Sequence, residues 1–202
     1  MSFKDSNHRL FLALALAVAI GVILVGCGCR PSAGVPDLTE QKLKATDWHT
    51  RQQLADDLAK DRSAGSFEAL LRLLKDQHED VSYSAAEALE ARADTDRAHD
   101  LTTAIAQLPR ERRWPAYRAL RNYSGTETSS FLVNSLAEEL EYYRVSQTFD
   151  DRNCHYIAKS IEELTRKVPA LGGGMKAPIE GRREDFAQFL AQAKSALGLV
   201  QK

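Results

Sequence analysis

The stretch Phe67–Glu90, FEALLRLLKDQHEDVSYSAAEALE, decides the architecture of this chain. Leu70, Leu71, Leu73 and Leu74 fall on one helical stripe, and Val81, Ala85, Ala86 and Leu89 on another. The polar connection Asp76–Asp80 between them ends in an aspartate placed to cap the second helix. Two amphipathic helices joined this closely form an αα-hairpin, which cannot bury both stripes by itself. Copies of it must stack, or another element must cover it.

The residues around this stretch show that copies exist. Leu70, Leu101 and Leu132 are spaced by 31, and so are Leu74, Ile105 and Leu136. In the second helices Leu58, Leu89 and Leu120 share that spacing, as do Leu54, Ala85 and Ala116. Four series in one register are the signature of a solenoid. Ala and Leu dominate, aromatics are 7%, and β-branched runs are few, which agrees with an all-α chain.

Leu70–Leu74, Asp76, the Asp80-Val81 pair, Ala85, Ala86, Ala88 and Leu89 resemble the HEAT repeat, in particular the short form also seen in phycobilin lyases. Thr50–Lys60 is similar to the second helix of such a unit. Ser82 stands where the family commonly has arginine, which argues against a complete arginine–aspartate ladder between units. The resemblance implies a right-handed α-solenoid of the armadillo type, with the second helices lining the concave surface. About four to five stacked helix pairs fit the length of the chain.

The expected pairs are Leu38–Lys44 with Trp48–Lys60 behind an Asp47 cap, Ser66–Lys75 with Asp80–Ala93, and Asp96–Leu108 with Arg112–Tyr123. Pro115 is tolerable in the first turn of the last of these, and Ser124-Gly125 ends it. A fourth pair opens at Thr126 and closes with Asp151–Thr165; matching Ile161 to Leu120 gives 41 rather than 31, an insertion of about ten residues. The Gly/Pro-rich stretch 169–182 reads as a loop, and 183–202 as a capping helix whose core is Glu184–Leu199. The repeats thus occupy 37–168.

The N-terminus belongs to none of this. Lys4, His8 and Arg9 precede an uncharged apolar run, Leu10–Val25, too short to span a bilayer comfortably and suited to a secretory signal. Leu24-Val25-Gly26-Cys27 resembles the bacterial lipoprotein box. The resemblance implies that 1–26 is a signal removed before Cys27, with lipids on the Cys27 thiol and new amino group. Acyl chains contribute about 0.8 kcal/mol per buried CH2, so several anchor stably. Residues 27–36, CGCRPSAGVP, read as a flexible tether of roughly 15–20 Å. The expected address is the bacterial envelope, facing the periplasm, with the outer membrane favoured by Gly28 after the lipidated cysteine. The net charge of −1 gives no reason to expect nucleic acid.

The candidate partner surface lies in the third pair. Arg113, Trp114, Arg118 and Arg121 accompany Arg110, Arg112, Tyr117 and Tyr123, and helical spacing puts Trp114, Arg118 and Arg121 on one face. Arg and Trp are favoured interface anchors, and an acidic peptide or anionic glycan would suit them. The plainer alternative is a solvated basic helix paired with Glu87 and Glu90 of the preceding pair. In the insertion, Tyr142 and Tyr143 belong either to a protruding recognition element or to an extended helix.

Other chemistries find no support. Gly172-Gly173-Gly174-Met175-Lys176 lacks the spacing and the following Ser or Thr of a phosphate loop. The histidines are scattered one per unit, so neither metal nor cofactor is expected. Cys154 and His155 are helix neighbours pointing about 100° apart, not a nucleophile–base pair. The sequence therefore reads as a membrane-anchored, non-enzymatic binding or assembly scaffold with a protein partner. An accessory, lyase-like protein of an enzyme system and a purely structural envelope lipoprotein are the alternatives.

Overall fold

In a computed structural model the described residues are 38–146, 151–167, 175–178 and 181–199. The chain divides into two units, Met1–Leu38 and Thr39–Lys202, and the second carries the helical repeats. The expected signal, the Cys27 lipidation site, the tether and residues 169–174 and 179–180 of the Gly/Pro stretch lie outside the described residues.

The first pair is α1 (Leu38–Leu43) and α2 (Trp48–Leu58), the second α3 (Ala64–Leu73) and α4 (Glu79–Arg92). The third is α5 (Ala98–Ala106) and α6 (Trp114–Ala119), the latter between the short 3-10 turns Arg110–Arg112 and Leu120–Asn122. The fourth is α7 (Thr126–Ser146) and α8 (Arg152–Lys167), and α9 (Arg183–Ala196) follows. No strand occurs among the described residues, and the chain is an α-solenoid.

All four 31-residue series land in the core. Leu54, Ala85 and Ala116, then Leu58, Leu89 and Leu120, then Leu70, Leu101 and Leu132, then Leu74, Ile105 and Leu136 are all buried. The second helices α2, α4, α6 and α8 each pack extensively on the next, while among the first helices α5 and α7 make the fuller contact. The layer of second helices is the more crowded one, as the inner layer of a curved stack would be.

The helix ends show what the sequence conveyed and what it did not. Asp47 caps α2, accepting from the His49 and Thr50 amides at 3.3 and 3.0 Å. Helix α3 starts earlier than Ser66, because Ser63 accepts the Ser66 amide at 3.2 Å and serves as the cap. Asp80 does not cap α4. His78 holds that position without a side-chain cap, and Asp80 sits in the first turn, where its charge still suits the helix dipole. The turn is organised instead by Asp76, which accepts the His78 amide at 2.8 Å and both forks of Arg51 at 2.6 and 2.9 Å. Gly125, at φ +147, supplies the break before α7.

One rung of the arginine–aspartate ladder therefore exists, Arg51–Asp76, and Ser82 interrupts it. Arg51, Ser82 and Arg113 lie 31 apart and do the same local work. Arg51 donates to Ala45 O at 2.6 Å, Ser82 Oγ to Leu74 O at 2.9 Å, and Arg113 to Leu108 O at 2.9 Å. Each satisfies carbonyls left over before the second helix of its unit. A second set of donors locks the far ends of these helices. Arg92 reaches Asp61 O, Tyr123 Oη donates to Leu89 O at 3.2 Å, Asn122 to Glu90 O at 2.8 Å and Lys167 to Arg121 O at 2.9 Å.

The insertion is helical as far as it is described: α7 continues unbroken to Ser146, and residues 147–150 lie outside the described part. At the end of the stack α9 packs on both α7 and α8. Residues 175–178 cover the flank of α8 that a further second helix would take. The Ala177 amide donates to Glu162 at 3.0 Å, and His155 Nδ1 donates to Pro178 O at 3.2 Å.

Candidate partner-binding surface

Each second helix turns one side towards the next unit, and the residues there follow the repeat. In the first seam Gln52 donates to Ser84 Oγ at 3.1 Å. One repeat on, Tyr83 meets Trp114 at 5.9 Å between ring centroids, and Trp114 in turn meets Tyr156 at 4.9 Å. All three rings are half-buried, so α4, α6 and α8 present a continuous aromatic strip on the inner layer. Burial pushes the Tyr156 phenol upward, Tyr83 adds to this, and the guanidiniums of Arg121 and Arg118 oppose it.

Arg118 stands beside this strip in a saturated network. Its Nε binds Glu90 at 2.7 Å and its Nη1 binds Glu87 at 2.8 Å, with a further bond to Tyr83 Oη. Its carbon lies 5.0 Å from the Tyr83 ring centroid. The pairing with Glu87 and Glu90 that the plainer reading anticipates is thus present. Arg121, one turn further, lies 5.9 Å from the Tyr156 ring centroid. It has no ion pair among the described residues, and its Nε is sealed from solvent without a hydrogen-bond partner.

The structure brings together three of the six expected residues: Trp114, Arg118 and Arg121. Arg113 does not join them. It turns back onto the end of α5, donating to Leu108 O and, at 3.0 Å, to Ala106 O. Tyr143 is buried in the core, the natural continuation of the Leu132–Leu136–Leu140 stripe. Tyr142 is exposed, with the Arg110 guanidinium 3.9 Å from its ring centroid. It lines a cavity of about 210 Å³ with Arg110, Tyr143 and Asn153, on which Trp114 also borders. Behind it Arg110 binds the buried Glu139 at 2.8 Å; burial still holds that carboxyl above its ordinary value, although Arg110 pulls it down.

Tyr83 and Tyr156 are the strip residues that sequence reasoning missed. Tyr83 was within reach, one repeat before Trp114. Tyr156 faces back towards the preceding unit, and the changed period of the fourth pair hides it. Among the described residues no cluster of His, Cys, Asp and Glu is arranged to hold a metal ion, and no helix is long and apolar enough to cross a membrane.

Residues 35–121 match the HEAT repeats family. Together with the stacked pairs and their register, that match supports a HEAT-repeat protein. Repeats of this kind stack into superhelices whose curved inner surfaces bind protein partners. No curated protein matches the chain.

Proposed function

We propose that this protein is a lipid-anchored scaffold of the bacterial envelope that captures a protein partner on the inner layer of its repeats. The aromatic strip Tyr83–Trp114–Tyr156 carries this reading. Three half-buried rings from three successive units are an expensive surface to leave facing solvent, and aromatic residues flanked by arginine are typical anchors of interfaces. The tether and the lipid on Cys27 would hold the bound partner close to the membrane facing the periplasm, with the outer membrane favoured.

A photo-crosslinking side chain at Glu87, which is 47% exposed, tests the surface in intact cells. The expected result is one crosslinked protein partner, lost on Trp114→Ala in a chain whose melting temperature shows it folded. Crosslinks that survive Trp114→Ala unchanged would refute the surface. For the address, Cys27→Ala should release the protein from the membrane fraction, and continued lipid labelling would overturn the anchor.

A further inference from the structure

Two arginines one turn apart flank the strip, and they are in opposite electrostatic states. Arg118 faces two carboxylates, one more than its charge requires. Arg121 faces none. The two acids on Arg118 are themselves unlike. Glu90 is 20% exposed and holds Nε, while Glu87 is 47% exposed and reaches Nη1 from the solvent side. A half-exposed ion pair contributes little to stability, so Glu87 can leave Arg118 at small cost, whereas Glu90 is fixed by its setting.

We propose that the inner layer takes an acidic side chain of an extended partner peptide against Arg121 and Arg118, and that Glu87 is a built-in competitor for that position. This rests on the scaffold reading above and adds the chemistry of the partner. A partner carboxylate supplies Arg121 with the anion it lacks and replaces Glu87 on Arg118, while Glu90 keeps Arg118 in place. A neighbouring apolar or aromatic residue of the peptide lies on Trp114 and Tyr156. The guanidinium fork favours a planar carboxylate, since both can meet through paired hydrogen bonds. The local balance supplies the complementarity: the acid lost from Arg118 is matched by the one gained, and the idle charge of Arg121 is neutralised.

This arrangement makes an uncommon prediction of sign. Removing a surface charge distant from any contact leaves binding unchanged, and removing a contact weakens it; removing Glu87 should strengthen it. The full chain in detergent is panned against displayed short peptides. The selected sequences are resynthesised with fluorescein, each beside a copy in which Asp and Glu become Asn and Gln. Affinities are read by anisotropy, and a sulfated heparin fragment serves as the anionic-glycan probe.

Acidic peptides should be selected and their amide copies should bind about tenfold or more weakly, the size expected for a charge-assisted bond. Arg121→Gln should weaken the acidic peptide by a similar factor and leave its amide copy unaffected. Glu87→Gln should tighten the acidic peptide several-fold, and added salt should weaken it. Neither variant removes a structural bond from Arg121 or Glu90, so both should keep the parental melting temperature. Selection of peptides without acids, no selection at all, or weaker binding by Glu87→Gln each overturns the proposal. Heparin binding in preference to every peptide does so too. If peptides bind in a manner that depends on Trp114 but not on Arg121 or Glu87, the acidic-partner inference fails while the scaffold reading stands.

Discussion

Arg92 is the residue whose loss should cost this fold most for the size of the change. Its side chain is 2% exposed, and it bridges the first and second units. Nε binds Asp94 at 2.7 Å, Nη1 binds Ser66 Oγ at 2.6 Å and also Asp61 O, and Nη2 binds Ser63 O at 3.1 Å. Arg92→Met keeps the length of the stem and removes every donor. The three neutral acceptors forfeit about 1 kcal/mol each. Two compensations limit the loss. The single Ser66 Oγ proton still serves either Asp61 O or Ser63 O, at 2.7 and 2.8 Å, and Asp94, 21% exposed, can turn to water. The net expectation is about 2 kcal/mol, which for a chain of this size lowers the melting temperature by roughly 4–8 °C. Urea denaturation by linear extrapolation measures it. Amide exchange should show the loss concentrated in α2 and α3, since a solenoid shares stability between neighbouring units. Arg92→Lys should recover little, because one ammonium cannot serve four acceptors lying in different directions. The reasoning is refuted if Arg92→Met costs less than about 1 kcal/mol, the range of an ordinary surface change.

Three other outcomes are expected. Ala93 ends α4 at φ 52 and ψ 42, a left-handed conformation that penalises any Cβ, so Ala93→Gly should raise stability by up to about 1 kcal/mol in the same urea assay; a loss would show that its methyl packs more than the backbone strains. Tyr123→Phe deletes the bond to Leu89 O, which keeps the Ala93 amide as a donor, so the cost should be only about 1 kcal/mol. Glu139 has a folded pKa held above the ordinary 4.5 by burial, with Arg110 opposing. The native state then binds more protons than the unfolded state between those two values, and stability falls as pH rises through that window. Glu139→Gln should match the parent below pH 4.5 and exceed it at neutral pH; a variant weaker than the parent at pH 7 and equal to it in acid would reverse the sign.

Much of the fold is legible because the repeat writes its core in one register. Every member of the four Leu/Ile/Ala series is buried, and Asp47 caps the helix it precedes. What escapes depends on partners distant in sequence. Asp80 looks like the cap of α4 because nothing local shows that Asp76 is engaged by Arg51, twenty-five residues earlier. Arg113 is expected among the partner contacts with Trp114, Arg118 and Arg121, yet it stands at the boundary of α6, after a 3-10 turn. A helical wheel no longer gives the direction of the side chain there. Tyr143 reads as part of either a protruding insertion or an extended helix, and the Leu132, Leu136, Leu140 spacing points it inward once the helix is known to continue. Half of the candidate surface can be read for the same reason as the core: Trp114 occupies the repeat position of Gln52 and Tyr83.

The successive seams between second helices differ in chemistry although they share one geometry. Gln52–Ser84 and Arg51–Asp76 tie α2 to its successor, so the first seam spends its polar groups internally. The second is charged, with Arg118 against Glu87 and Glu90. At the third, Trp114 and Tyr156 meet, Ser160 Oγ donates to Tyr117 O at 2.7 Å, and Arg121 has no ion pair among the described residues. Beyond α8 the position of a further helix is filled by residues 175–178 on His155 and Glu162. A ligand at the first seam or at the closed end would have to break bonds the fold needs. At the second it meets one exchangeable acid, and at the third a half-buried ring pair and a cation with no ion pair among the described residues. The same repeat that conceals differences in uniform helices therefore leaves the junctions on either side of α6 as the seams a ligand can enter without breaking such bonds.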